Sequence, residues 1–331
     1  MKIVYSIVIP VFNSESTLRE IYQRIVKVMT FLGTTFEIIF VEDCGTDNSW
    51  VVLTQIAQRD KRVKAIQLLS NVGQGSATLA GISQSKGEYI ITLDDDLQNP
   101  PEELPKLINS LIENKNMDVV MGVPKNVQHS FFRRWSSNMI NRMNSFFLNK
   151  KPELRTTSFR IMRRQVADAL LRINTPYPSL GPMLLSVTRR IDNIVVDHHQ
   201  RKEGKSGYNL MSLTRQSLSN IVGYSVMPLH MLAVVGVAGI LFCFLFSAYY
   251  LFRYFTIGID VPGWMTLLLM LTMFSSFNFL AFSLLGEYVL RIMRVSTSPA
   301  QWAFRNIISQ EKSPVFQNSY IKENEKKNEM V

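Results

Sequence analysis

The chain has 331 residues, 47% hydrophobic and 19% charged, too apolar for a disordered polymer and too long for one small module. Its 36 Lys and Arg against 26 Asp and Glu give a formal charge of +10, which points to an anionic partner: nucleic acid, phospholipid or a phosphorylated metabolite. Two cysteines, Cys44 and Cys243, lie in segments of opposite character, which excludes a disulfide framework and a cysteine-based zinc site and fits a reducing compartment.

The N-terminal apolar run from Ile3 to Phe12 is short, broken at Pro10 and followed by no small-residue cleavage site. It therefore reads as a strand and not as a signal peptide. From Tyr5 to Asp118, short β-rich runs alternate with amphipathic stretches. The pattern predicts strands over 6–11, 36–41, 63–69, 89–93 and 118–122, and helices near 17–32, 49–59, 75–85 and 101–114. The fold class is α/β, a parallel sheet covered by helices.

Open α/β sheets bind ligands beyond the carboxyl ends of their strands. Here those positions hold acids: Glu15 with Pro10 and Asn13 after the first strand, Glu42, Asp43 and Asp47 after the second, and Asp94, Asp95 and Asp96 with Gln98 after the fourth. Neither a dinucleotide-binding glycine fingerprint nor a P-loop follows the first strand, which argues against a dinucleotide oxidoreductase and a P-loop ATPase. Three consecutive carboxylates repel one another unless a cation or hydrogen-bond donors compensate. By themselves they fit either a solvated turn that caps the next helix or a site for Mg2+ or Mn2+ completed by substrate phosphate. Their place at a strand end, between acids at neighbouring strand ends, favours the metal and nucleotide.

Positive charge is concentrated in the middle of the chain, where residues 119–215 carry 17 basic and 5 acidic side chains. Arg133, Arg134, Lys150, Lys151, Arg163 and Arg164 read as groups that hold the domain against an anionic membrane surface, worth about 1 kcal/mol each. No RNA-binding signature accompanies the block, so nucleic acid is not the expected partner. In HHQRKEGKSGYN, His198 and His199 read as a strand end. Arg201 and Lys205 flank Gly204, Ser206 and Gly207, where cationic side chains and backbone N–H groups can approach a phosphate closely.

Residues 209–227 form an amphipathic, interfacial segment. No charged residue lies between Arg215 and Arg253, and 231–252 and 264–286 are each long enough to cross a bilayer core of roughly 30 Å. The expectation is a transmembrane hairpin over 228–290 that anchors and does not transport, since it offers no polar pathway. Lys202, Lys205 and Arg215 before it and Arg291, Arg294 and Arg305 after it place both termini in the cytoplasm. Residues 1–208 are then a cytoplasmic domain and 291–331 a cytoplasmic C-terminal segment, with a disordered tail from 311.

Four runs carry a resemblance: SIVIPVFNSE from Ser6, FVEDCGTDNS from Phe40, LSNVGQGSATLAGISQSKGEYIITLDDDLQNPPEELP from Leu68 and SFRIMRR from Ser158. In that order, ahead of the apolar pair, the chain resembles over about residues 4–300 the family 2 glycosyltransferases of the GT-A (Rossmann-like) fold. Within them it is similar to polyprenyl-phosphate sugar transferases such as dolichyl-phosphate mannose synthases and bacterial undecaprenyl-phosphate transferases. The resemblance implies an inverting enzyme of the inner (plasma) membrane that moves a sugar from a UDP- or GDP-linked donor to polyprenyl phosphate for cell-envelope glycosylation. It also implies a homo-oligomer and a Mg2+ or Mn2+ cofactor.

Residue by residue, the resemblance implies that Pro10, Glu15 and Asp43 line the nucleotide pocket with Asp94 and Asp95. Asp94 and Asp96 are the acids of the DxD motif, Gln98 helps hold the metal, and Asp95 takes the usually small middle position. Arg160, in the Ser-Phe-Arg triplet, positions phosphate, and Arg201 and Lys205 contact phosphates. The candidate catalytic residues are Asp96, Arg160 and Arg201.

Three positions depart from the family pattern. Relatives often carry an acid, proposed as the base, within four residues before the serine, where this chain has Leu154, Arg155, Thr156 and Thr157, with Glu153 just outside. Pro124 stands where many relatives have arginine, with Lys125 beside it, and Gly207 stands where several have lysine. A phosphate monoester with a second pKa of about 6 is largely ionised at neutral pH and needs placement more than a base. A processive or protein-directed family 2 transferase and an inactive binding scaffold remain the alternatives. The sugar stays open among glucose, mannose, galactose, N-acetylhexosamine and aminoarabinose derivatives.

Overall fold

The computed structural model describes residues 2–125, 153–175, 178–199, 227–257, 263–297 and 302–310. Strands β1 (Tyr5–Val11) and β2 (Phe36–Glu42) are buried at every position, and β3 (Val63–Leu68) and β4 (Tyr89–Thr92) at nearly every one. Near-continuous burial means both faces of the sheet are covered. Ile7 and Ile9 of β1 join one core with Leu18, Ile21 and Ile25 of α1 (Glu15–Phe31) and Leu53 of α2 (Ser49–Arg59). Val8, between them, faces a second core with Ala77 and Ala80 of α3 (Gln74–Ser83). The period-2 alternation of the strands thus sorts the helices into two layers.

After a 3-10 turn at Pro101–Glu103 and α4 (Leu104–Glu113) come β5 (Val119–Pro124), β6 (Arg160–Arg163), α5 (Arg164–Leu171), α6 (Leu180–Val187) and β7 (Ile191–Val196). With β8 (Phe304–Ile308) they complete an eight-stranded sheet in the order β7-β5-β6-β4-β1-β2-β3-β8. The sheet is mixed, not parallel throughout as the sequence suggests: β6 runs antiparallel to β4 and β5, and β8 antiparallel to β3. The reversal of β6 matters for the site. It sets Arg160 beside Thr92, so the triplet Ser158-Phe159-Arg160 enters the sheet at the carboxyl end of β4, where the acidic loop begins.

Two basic residues expected on the membrane-facing surface are instead structural. Arg163 donates to the carbonyls of Met117 and Leu111 and lies over the Tyr89 ring. Arg164 donates to Gly87 O and pairs with Asp168. A guanidinium carries five donors in a planar fork, which suits it to gathering carbonyls at the end of a sheet.

Two long helices follow, α7 (Met227–Ile257) and α8 (Trp264–Thr297). They contain the stretches expected to span, 231–252 and 264–286. Among the described residues Met273–Leu290 of α8 is long and apolar enough to cross a membrane, and α7 carries a shorter apolar stretch, Met227–Gly239. Leu241, Phe252, Leu271 and Phe279 are exposed along these helices. Of the expected interfacial segment only Met227 is described, as the first residue of α7. Residues 209–226 and the tail from 311 lie outside the described residues, as do Arg133, Arg134, Lys150 and Lys151.

Candidate active site

The site forms where the loops after β1, β2, β3 and β4 meet. Three non-glycine residues adopt left-handed backbone there: Asn13 (φ 52°), Cys44 (φ 54°) and Leu97 (φ 59°). Each conformation costs on the order of 1–2 kcal/mol for an L-residue, and such strain collects at functional loops. Leu97 is buried in the first core and anchors the acidic loop there.

Asn13 and Glu15 knit the first loop to the second. Asn13 Oδ1 accepts from Thr46 N at 2.7 Å, Glu15 N donates to Asp47 Oδ2 at 3.0 Å, and Glu15 Oε2 accepts from Asn48 N at 3.3 Å. Pro10 is buried within β1 opposite Val41. Asp43, 3% exposed, accepts Val72 N at 2.8 Å and Gly73 N at 2.9 Å, one on each oxygen. Burial raises its pKa, and the two backbone donors oppose the rise. Beside it Glu42 accepts from Gly45 N and keeps Oε2 buried without a hydrogen-bond partner.

The three consecutive acids have separate surroundings. Asp94 is clamped: Gln74 Nε2 donates to Oδ1 at 2.6 Å and the Ser158 hydroxyl donates to Oδ2. Burial pushes its pKa up, Ser158 pulls it down, and the Asp96 charge raises it again. Asp95 faces the other way. Its Oδ2 accepts from Phe12 N at 3.1 Å and its carbonyl from the Thr17 hydroxyl at 2.6 Å, and burial first, against the Ser14 and Phe12 donors, lifts its pKa to about 6. Asp95 is thereby a tether between the acidic loop and the β1–α1 loop. Asp96 accepts from Gln98 N at 3.1 Å through Oδ1.

Arg160 is 7% exposed. Its Nε donates to Ser158 O at 3.3 Å, and Nη1 is buried without a hydrogen-bond partner. Burial lowers its pKa to about 10, and the Asp94 charge acts against that. It sits behind Asp94 as a buried counter-charge. Arg201 and Lys205 lie outside the described residues. The chain leading to them is docked on the acidic loop: Asp197 N donates to Glu103 Oε2 at 3.2 Å, His199 N to Gln98 O at 2.8 Å, and His198 Nδ1 lies 3.3 Å from Asn99 Oδ1.

The donor set suits a hard divalent ion completed by a ligand. Among the described residues no three His, Cys, Asp or Glu side chains form a closed cage. Mg2+ and Mn2+ are commonly held by one or two carboxylates with waters and substrate phosphate oxygens. Burial first, with repulsion from the neighbouring acids added, raises the pKa of Asp94 and Asp95, and a cation at the loop would favour their charged forms. The sequence reading missed the support around these acids, namely Gln74, the Ser158 hydroxyl and Thr17. Gln74 and Ser158 stand inside the quoted runs, but nothing in the sequence tells that both touch Asp94.

An eight-stranded α/β sheet with paired acids beyond β4 defines a nucleotide-binding domain of the GT-A kind. Glucosyl-3-phosphoglycerate synthase from Mycobacterium tuberculosis in complex with phosphoglyceric acid superposes with a TM-score of 0.52 at 14% identity, over 67% of this chain and 80% of that one. The same enzyme in complex with Mg2+ and uridine-diphosphate gives 0.51 at 14%, over 67% and 79%. Residues 6–171 match Glycosyl transferase family 2. The undecaprenyl-phosphate 4-deoxy-4-formamido-L-arabinose transferase of Yersinia pestis (strain Pestoides F) is 35% identical over 311 residues, 93% of this chain and 94% of the relative. The enzyme of that name from Edwardsiella ictaluri (strain 93-146) is 33% identical over 309 residues, 92% and 94%. The chain belongs to glycosyl transferase family 2 and is a glycosyltransferase.

Proposed function

We propose that the protein transfers a sugar from a UDP- or GDP-linked donor to undecaprenyl phosphate at the cytoplasmic face of the inner membrane. The observation that carries this reading is identity of about a third with undecaprenyl-phosphate transferases over 93% of the chain, a stretch that takes in α7 and α8 as well as the sheet. The finer roles are part of the same proposal. Asp43, Glu15 and Pro10 border the nucleotide, Asp96 with Asp94 and Gln98 would hold Mg2+ or Mn2+, and Asp95 ties the two loops together. A bound divalent ion supplies charge neutralisation for the departing nucleoside diphosphate.

Asp94 presents its carboxylate in one orientation because Ser158 and Gln74 hold both oxygens, and Arg160 offsets its charge from behind. Arg201 and Lys205, following the segment docked at Gln98 and Asn99, bind the acceptor phosphate and align its oxygen for in-line attack at the anomeric carbon, with inversion.

The chain path supports a hairpin across the membrane. It leaves the sheet after β7, runs through α7 and α8, and returns as β8 to pair with β3, so the number of crossings is even. At 1.5 Å per residue a helix of 31 or 34 residues exceeds the roughly 30 Å apolar core. Residues 1–208 together with β8 then form the cytoplasmic catalytic domain, 209–227 lie at the interface, and 291–331 return to the cytoplasm.

The test is a panel of sugar nucleotides, beginning with the formamido-arabinose named in the relatives, offered to purified protein with undecaprenyl phosphate and Mn2+. One donor should yield a lipid-linked sugar. Transfer only to water, to protein or to a growing glycan would overturn the reading.

A further inference from the structure

We propose that Gln74 is a positioning residue of the donor site, whose side-chain amide joins the acid closing β2 and the acids following β4 into one rigid unit. The inference rests on the transfer reaction proposed above and adds to it a residue that acts through Asp94.

Three consecutive residues make the connection. Val72 N and Gly73 N donate to the two oxygens of Asp43, and the next side chain, Gln74, donates to Asp94 at 2.6 Å. Strands β2 and β4 are not neighbours, because β1 lies between them. Each is laddered to β1, which sets the spacing of the backbones but not the orientation of the two carboxylates, and segment 72–74 links those side chains directly.

That segment is itself held from several sides. Leu69 N donates to Ala303 O at 2.8 Å and Arg305 Nη2 to Leu69 O at 3.1 Å, so β8 pins its start. Gly73 has φ 84°, a left-handed turn that glycine makes without strain. Gly75 seats against the Pro178 carbonyl, where a Cβ would stand 2.0 Å from the oxygen. The backbone is thus held on both sides of Gln74, whose amide reaches Asp94.

Its chemistry suits the task. A neutral amide satisfies one oxygen of Asp94 without cancelling the negative charge that attracts a cation. Ser158 holds the other oxygen, so the carboxylate cannot rotate away when ligand arrives.

A length-matched series tests this on the full chain in detergent: Gln74→Met removes the donor, and Gln74→Glu sets an acceptor against an acceptor. The readouts are the Kd for UDP with Mn2+ by calorimetry, KM for the sugar nucleotide, KM for undecaprenyl phosphate, and the unfolding midpoint. Loss of a hydrogen bond to a charged group predicts that Gln74→Met weakens UDP binding and raises donor KM about tenfold. Gln74→Glu should lose more. The lipid KM and the midpoint should stay near wild type for both. A Gln74→Met variant that binds UDP within about twofold of wild type, or loses equally in donor and lipid KM, would overturn the proposal. Wild-type protein that binds UDP yet labels no lipid would instead overturn the transfer reaction, and the UDP arm would still decide the role of Gln74.

Discussion

The Ser158 hydroxyl donates to Oδ2 of Asp94 across 64 positions of sequence, and the Thr92 hydroxyl donates to Ser158 O. The segment that leads into the reversed strand β6 thus supplies the donor that orients the first acid of the loop after β4. Ser158→Ala should remove roughly 1–3 kcal/mol of support from a half-buried carboxylate. The expected result is a fall in kcat/KM of about fivefold or more, with Ser158→Thr retaining more activity than Ser158→Ala. Equal activity of Ser158→Ala and wild type in steady-state kinetics would show that the hydroxyl does not orient Asp94.

Asp95 gives a pH-dependent prediction. Burial lifts its pKa from 3.8 to about 6, so the folded state binds the proton more tightly than the unfolded chain. Stability at this site is therefore full below the unfolded value and is lost as pH rises through the folded one. Asp95→Asn is neutral throughout and keeps an acceptor for Phe12 N. Without divalent ions it should be more stable than wild type at about pH 7.5, by at most about 3 kcal/mol and less after solvent screening. The gap should close towards about pH 4. Thermal unfolding across that range checks it, and a gap independent of pH would refute the assignment.

Gly75 leaves no room for a side chain. An added Cβ would lie 2.0 Å from Pro178 O and 3.0 Å from Pro178 C, both backbone atoms. Gly75→Ala should destabilise the domain by roughly 1–3 kcal/mol and displace Gln74 from Asp94. Chemical denaturation tests the first effect and donor KM the second. A fully stable variant would contradict so close an approach of α3 to residue 178.

The return of β8 to β3 makes a topological prediction. Reporters fused at the N-terminus and placed after Gln310 should both read the cytoplasmic side, and one inserted at 258–262 the opposite side. If all three report the cytoplasm, α7 and α8 do not cross the bilayer.

The α/β layering was legible because β-rich runs and amphipathic stretches alternate clearly up to Asp118. Helix 49–59 agrees at both ends, and the first strand differs by one residue. The acidic loop was legible too, since three carboxylates beyond an apolar strand need compensation wherever they sit. What failed was long-range pairing. β6, β7 and β8 follow charged or mixed runs without clean alternation, and their strand state comes from the partners they meet. Arg163 and Arg164 looked like solvated charge because a sequence shows a cation's sign and not the carbonyls gathered around it. The clamp on Asp94 was invisible for the same reason: Gln74 and Ser158 reach it from segments 84 residues apart, by the difference of their numbers.

The most direct test follows label from a sugar nucleotide into undecaprenyl phosphate, read in the organic phase, for wild type and Asp96→Ala with Mn2+ and with chelator. Wild type with Mn2+ should label the lipid, while chelated wild type and membrane-inserted Asp96→Ala should lose the signal by at least about a hundredfold. Lipid labelling that survives both chelation and Asp96→Ala would contradict a cation held at the acidic loop as the centre of the reaction.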